Sequence, residues 1–248
     1  MSGGAARFGF RSWAGTHPGA RRTLNEDKYL DRPDLGLWAV ADGAGGREAG
    51  EVASGMLTET LGAIPGGLGD GALAEEIGRR VALVHARLRA EAARRGEGAV
   101  IAATLVALAV CEDRFALLWA GDARAYLLRG GRLAQLSRDH SLVQALIGEG
   151  RITPAEAASY PRGDVVTRAV GAEIEAFALE KASGRLEAGD RFLLCSDGIW
   201  KTLMPDELRA LLGAPEGVPP DELLLAAALA REASDNITAV AIEVSAAA

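Results

Sequence analysis

Apolar and polar positions change period several times along the chain, and each change marks an element. Arg7 to Trp13 alternates with period two, as a half-buried strand does, and Thr16-His-Pro-Gly19 then reads as a turn. After the polar cluster Arg21-Arg-Thr-Leu-Asn-Glu-Asp27 come a strand at Lys28-Tyr-Leu and a turn around Pro33. A continuous apolar strand from Leu37 to Ala41 then runs straight into Asp42 and the glycine-rich turn Gly43-Ala-Gly-Gly46. From Glu48 to Ile64 the spacing turns helical, with Val52, Ala53, Met56, Leu57, Thr60 and Leu61 on one face and acidic residues near the start, where the helix dipole favours them. The Pro65 to Gly71 segment ends that helix. A second is predicted over Ala72 to Arg95, with Ile77, Val81, Val84 and Leu88 on one face and a basic C-terminal end.

The middle of the chain returns to short β-type runs. Ala99 to Cys111, Arg114 to Ala120, Ala123 to Arg129 and Arg132 to Leu136 are separated by Glu-Asp, Gly-Asp and Gly-Gly turns, which makes an antiparallel meander. Ser141 to Gly150 is predicted helical, and Pro154 begins a short helix. Tyr160 to Glu173 is polar and irregular, so 141–173 reads as an excursion from the sheet before a strand at Phe177. A buried strand at Arg191 to Cys195 ends in Ser196-Asp197-Gly198. Helices at Pro205 to Leu212 and Asp221 to Arg231 precede a last strand, Ile237 to Val244, entered through Ser234-Asp235-Asn236. A parallel sheet fits less well, because the central strands follow one another with hairpin-length turns and parallel strands would need crossovers. The predicted fold class is therefore α+β, a four-layer αββα sandwich of two antiparallel sheets with helices on both outer sides. The whole length, 1–248, is expected to form a single domain.

Composition narrows the partners. A formal net charge of −7 lacks the basic footprint of a nucleic-acid binder. The start of the chain has no basic region followed by an apolar core, and the longest apolar run, Ala99 to Cys111, is too short to span a bilayer, so a cytoplasmic protein off the membrane is expected. Two cysteines, Cys111 and Cys195, are too few for a disulfide framework, and neither begins a Cys-x5-Arg phosphate loop. There is no Gly-x4-Gly-Lys-Ser/Thr loop and no complete Gly-x-Gly-x-x-Gly, so kinase and dinucleotide readings fall away. The three histidines, His17, His85 and His140, are scattered.

What remains is a recurrence of aspartates. Four apolar strand regions each deliver one beside a turn residue: Asp42 before Gly43, Asp122 after Gly121, Asp197 before Gly198 and Asp235 before Asn236. Asp27 closes the Asn-Glu-Asp cluster. Taken singly, an aspartate at a strand end is a turn or capping residue. Several converging without His or Cys repel one another unless cations sit among them, and oxygen-only ligation selects Mg²⁺ or Mn²⁺. Two such ions with a water between them supply both a nucleophile and a Lewis acid for phosphoester hydrolysis. Arg22 provides a planar guanidinium able to grip two phosphate oxygens, while Arg124 reads as a structural ion-pair partner.

Arg22-x-x-Asn25-Glu-Asp27, Ala41-Asp-Gly-x-Gly-Gly46, Gly121-Asp-x-Arg124, Asp139-His-Ser141, Cys195-Ser-Asp-Gly198 and Ser234-Asp-Asn-Ile-Thr238 resemble, in order and spacing, the motifs of the 2C-type metal-dependent protein serine/threonine phosphatases. The resemblance spans nearly the whole chain and implies a dinuclear Mn²⁺ or Mg²⁺ centre that releases phosphate from phosphoserine or phosphothreonine without a phosphoenzyme. It implies that Asp42 bridges both metals, that Gly43 contributes its carbonyl, and that Asp197 and Asp235 complete the centre. Asp27 and Glu26 are implied as direct or water-mediated outer members, with Asn236 beside them. Asp122, with Asp197, matches the place of a weaker third metal in bacterial relatives, and Arg22 matches the phosphate-gripping arginine. The 141–173 excursion corresponds to the family's flap, which moves and bears on substrate choice.

Two positions depart from the pattern. Ala44 stands where eukaryotic relatives place a histidine after Asp-Gly, which leaves the general acid unassigned, with a water of the metal centre as the simplest substitute. Arg47 stands where histidine is common, either adding positive charge near the phosphate or facing solvent. The Trp13-Ala-Gly-Thr-His-Pro-Gly19 opening resembles bacterial members that accompany type VI secretion systems, whose partners are a threonine kinase and a phosphorylated forkhead-associated protein. The expected activity is removal of phosphate from phosphorylated proteins, opposing a Ser/Thr kinase, by a monomeric enzyme. Two alternatives are a pseudophosphatase serving as a phosphopeptide-binding module, against which Asp42, Asp197 and Asp235 speak, and a hydrolase of small phosphoesters.

Overall fold

The computed structural model describes residues 8–45, 49–68, 71–157, 159–174, 177–215 and 217–247. Among them lie two antiparallel sheets. The first has the order β1 (Phe8–His17), β11 (Ile237–Ala246), β10 (Arg191–Cys195), β7 (Arg124–Arg129), β8 (Arg132–Gln135). The second runs β2 (Asp27–Arg32), β3 (Leu37–Ala44), β5 (Leu105–Cys111), β6 (Arg114–Ala120), β9 (Glu180–Arg185), and the short β4 (Ala102–Ala103) pairs with the end of β3.

The period-two alternation decides which layer each strand residue enters. On β3, Trp38 and Val40 join Val106, Leu108 and Leu117 of the same sheet and Phe192, Leu194, Val240 and Ile242 of the other, which forms the core between the sheets. Leu37, Ala39 and Ala41 point the opposite way, against Ala53, Leu57 and Leu61 of α1 (Ala49–Gly62) and Ile77, Val81, Val84 and Leu88 of α2 (Ala72–Arg95). The outer face of the first sheet packs Leu193, Cys195, Ala239 and Ala241 beneath α5 (Asp197–Trp200), α6 (Pro205–Leu212) and α7 (Pro220–Ala230). The result is the expected αββα order of layers. Trp38 and Phe192 are fully buried at its centre, and each such side chain contributes roughly 1.5–3 kcal/mol through its burial. No helix among the described residues is long and apolar enough to cross a membrane.

Several boundaries differ from the sequence reading. β1 continues through the predicted turn as far as His17, because all ten of its residues find partners on β11, from Phe8 opposite Ala246 to His17 opposite Ile237. The apolar run before Cys111 breaks at Thr104, whose N–H donates to the Asp42 carbonyl while its Oγ1 accepts from the Asp42 N–H. The strand expected at Phe177 begins at Glu180, opposite Trp119 of β6; the Phe177 ring instead stacks on His85 with centroids 4.3 Å apart. The turn read at Ser196-Asp197-Gly198 opens a one-turn helix, α5. The 141–173 excursion contains α3 (Leu142–Gly148), capped by the Ser141 hydroxyl, and α4 (Pro154–Ala157). Its return path is tied down by bridges pairing Ser141 with Val166 and Ala103 with Val170.

Candidate metal and phosphate site

The aspartates singled out by sequence gather at one rim of the sandwich because the sheet register brings them there. Asp27, first in β2, lies directly opposite Asp42 near the end of β3. Asp197 opens α5 immediately after β10, Asp235 sits in the turn before β11, and Asp122 lies in the β6–β7 turn. Both sheets therefore contribute. The buried Asp27 side chain crosses between them, since its Oδ2 accepts from Ser196 Oγ and from Thr238 Oγ1, each at 2.7 Å. Its other oxygen, Oδ1, is buried with no hydrogen-bond partner.

The electrostatics follow from this crowding. Burial, then the charges of Asp27, Asp197, Asp122 and Asp235, pushes the Asp42 carboxyl well above the usual carboxylate range. Asp27 is pushed up to about 7, mainly by burial, against the lowering effect of its two hydroxyl donors. Asp122 rises to about 6, again through burial and then through Asp197. Among the described residues, two cations stand against these five carboxylates. Arg22 Nη2 donates to Asp235 Oδ2 at 2.9 Å, and Lys201 Nζ to Asp197 Oδ2 at 2.5 Å.

Among the described residues no three such side chains close around one point; Asp235 and Asp197 face Arg22 and Lys201 instead. The donor set nevertheless fits divalent cations. An orphaned buried carboxylate oxygen, carboxyl pKa values raised by burial and crowding, and an excess of negative charge are what hard ions with oxygen ligands relieve.

Close backbone approaches hold the site together. A Cβ on Gly43 would lie 2.2 Å from the Gly50 carbonyl oxygen, so β3 meets α1 without side chains between them. A Cβ on Gly198 would lie 2.1 Å from the Asn236 carbonyl oxygen, which fixes α5 against the start of β11. Asn236 links three segments: its Oδ1 accepts from Glu26 N–H, and its Nδ2 donates to the carbonyls of Pro18 and Leu24. Glu26 does not point into the carboxylate group; its Oε1 accepts from Gly50 N–H at 3.1 Å, at the start of α1.

Around Asp122, Gly121 N–H donates to His140 Nδ1 at 3.1 Å and His140 N–H donates to the Gly121 carbonyl at 2.9 Å. Because Nδ1 accepts, Nε2 carries the proton and donates to Glu180 Oε2 at 2.7 Å. His140 is thus a brace. Arg124 is gripped at both ends of its fork by Asp139, with donors at 2.9 and 2.7 Å, and serves structure, as its sequence context indicated. The buried Cys195 thiol is pushed far up by desolvation and is no nucleophile. Ala44 is exposed at the end of β3, while Gly46 and Arg47 lie outside the described residues.

Sequence reasoning assigned no role to Ser196, Thr238, Gly50 or Lys201. The first three act through cross-sheet or helix-start contacts that no local spacing reveals. Lys201 carried one signal, its position four residues after Asp197, which becomes meaningful only once α5 is helical.

The layer order and the gathered aspartates define a class, the αββα proteins with a cluster of carboxylates at one rim of the sandwich. Residues 14–215 match the family model described as Protein phosphatase 2C, and the chain belongs to that family. It is 34% identical over 227 residues to the serine/threonine protein phosphatase PstP of Mycobacterium tuberculosis, an alignment covering 91% of this chain and 43% of PstP. The chain thus spans less than half of that relative's length. Among solved structures, PppA, described as a key regulatory component of T6SS in Pseudomonas aeruginosa, is 41% identical with a TM-score of 0.87, covering 95% of this chain and 98% of PppA. The PstP catalytic domain in complex with two manganese ions is 32% identical with a TM-score of 0.83, covering 96% of this chain and 99% of that one.

Proposed function

We propose that the chain hydrolyses phosphoserine and phosphothreonine esters in proteins at a dinuclear Mn²⁺ or Mg²⁺ centre. The observation that carries this reading is the convergence of five aspartates from two sheets, one with a buried unpartnered oxygen, beside an exposed arginine. Asp42, the Gly43 carbonyl, Asp197 and Asp235 would hold the ions, with Asp27 behind them. The ions, when bound, supply an activated water and neutralise charge on the phosphoryl oxygens. The chain's own side chains do the rest. Ser196 and Thr238 orient Asp27, Asn236 fixes the loop that carries Arg22 to the rim, and the Arg22 guanidinium takes the substrate phosphate in place of Asp235. Ala44 has no proton to give, so the departing alcohol takes its proton from solvent at the site.

The test is Mn²⁺-dependent phosphate release from a phosphothreonine peptide, with Asp42→Asn as control. The wild type is expected to turn over only with metal, and the variant to lose at least ~10³-fold in kcat/KM, as is usual when a group central to transition-state stabilisation is removed. Turnover equal in the two proteins would end the reading.

The likeness to PppA supports a narrower assignment, a cytoplasmic bacterial phosphatase serving type VI secretion and opposing a threonine kinase that phosphorylates a forkhead-associated protein. Residues 1–248 act as one catalytic domain and 141–173 as its substrate-facing flap.

A further inference from the structure

The third-metal position implied by Asp122 and Asp197 is not an open pair of carboxylates. Lys201 Nζ lies 2.5 Å from Asp197 Oδ2 and 4.0 Å from Asp122 Oδ2. We propose that this ammonium takes the place of a third ion, so that the chain binds two divalent ions and carries its own fixed cation where a third would sit. The inference rests on the dinuclear reading above and concerns how many ions the site admits.

The placement is built by bonds that do not depend on the charge pairing itself. Lys201 N–H donates to the Asp197 carbonyl at 2.9 Å, closing the single turn of α5 and setting the two side chains on one face. The neighbouring Trp200 donates its Nε1 proton to the Asp122 carbonyl at 2.9 Å, which ties α5 to the β6–β7 turn. The Arg124 guanidinium lies 3.4 Å from the centre of the Trp200 ring, and Asp139 holds that guanidinium from the other side. Asp122 and Asp197 are thus delivered to either side of a lysine whose root is already clamped.

Charge and ligand count then favour the amine over an ion. A hard divalent ion asks for about six oxygen ligands, and here one of the two carboxylates already accepts from Nζ. An incoming ion would meet a positive charge at contact distance and would have to displace it. Because the ammonium is tethered, its effective concentration at the carboxylates stays high at every ionic strength. Lys201 is then a positioning residue: it holds Asp197 at the mouth of the metal pair and offsets the repulsion between Asp197 and Asp122.

The experiment counts Mn²⁺ bound per chain by equilibrium dialysis with elemental analysis, on the 248-residue chain, its fold checked by circular dichroism. Wild type is expected to saturate at two ions. Lys201→Asp, which exchanges the cation for a ligand, is expected to reach three, and adding Asp122→Asn should return it to two. Lys201→Met, similar in length and uncharged, is expected to admit the third ion more weakly and guards against an aspartate variant that fails to fold. Three ions on the wild type, or two on both folded single variants, overturns the proposal. The counts are read without turnover. A wild type that binds two ions yet releases no phosphate would therefore refute the phosphatase reading alone.

Discussion

Asp42 shows how a residue proposed to serve chemistry can be costly for the fold. Its carboxyl is hemmed in by four other aspartates, and without cations the folded chain resists its ionisation. The unfolded chain imposes no such penalty, so the metal-free protein is destabilised at neutral pH by the very group proposed to hold the ions. Asp42→Asn is accordingly expected to raise the melting temperature of the metal-free protein, by a stability gain on the order of 1–2 kcal/mol, while abolishing activity. A variant that melts below wild type in the presence of chelator would contradict this. Arg22 presents the opposite case, a cation at the rim that is half spent on Asp235. Arg22→Ala should raise KM for a phosphopeptide by roughly tenfold or more, the worth of a charge-assisted bidentate contact. Mn²⁺ affinity should hold or tighten, because Asp235 is released from a competing partner. Unchanged KM would remove Arg22 from the substrate site.

At the scale of elements, what the sequence disclosed depended on whether an element's ends are set locally. α2 and α6 match their predicted spans because amphipathic spacing and flanking Gly or Pro settle them within the segment. β1 and β9 were misjudged because a strand ends where its partner does. The five aspartates and Arg22 were legible as motifs. The cross-sheet support from Ser196 and Thr238 was not, since it requires the packing of β10 and β11 against β2.

The base of the 141–173 excursion illustrates a further long-range contact. His85 on α2 accepts the Gly171 N–H at Nδ1, 3.0 Å away, and stacks on Phe177. Burial and then Arg89 hold its pKa below the ordinary value. Only the neutral ring accepts that bond, so the contribution is complete above the unfolded value of about 6.5 and is lost as pH falls through the lowered folded value. Hydrogen-exchange protection around Gly171 should therefore fall when pH drops from about 7.5 to about 5, after correction for intrinsic exchange. In His85→Ala it should be low at both pH values. Protection in the wild type that does not vary with pH would show that the base of this excursion is held by other contacts.

For the molecule as a whole, the site's position matters as much as its composition. Asp27 and Asp42 belong to one sheet, while Asp197 and Asp235 are delivered by strands of the other, so ions bound among them join the two layers at an edge where like charges otherwise push them apart. Ions that bind only the folded chain add stability by mass action, about 2.7 kcal/mol at a free concentration one hundred times the dissociation constant. For a chain of this size that corresponds to a rise in melting temperature of roughly 5–10 °C. The same ions should protect the Asp27 and Thr238 amides together, one in each sheet, because separating either strand edge dismantles the shared site. Asp42→Asn, which lacks the carboxylate that draws the ions in, should show the raised metal-free stability argued above and lose most of the Mn²⁺-dependent rise. A rise of equal size in variant and wild type would mean that Mn²⁺ stabilises the chain from somewhere other than this rim.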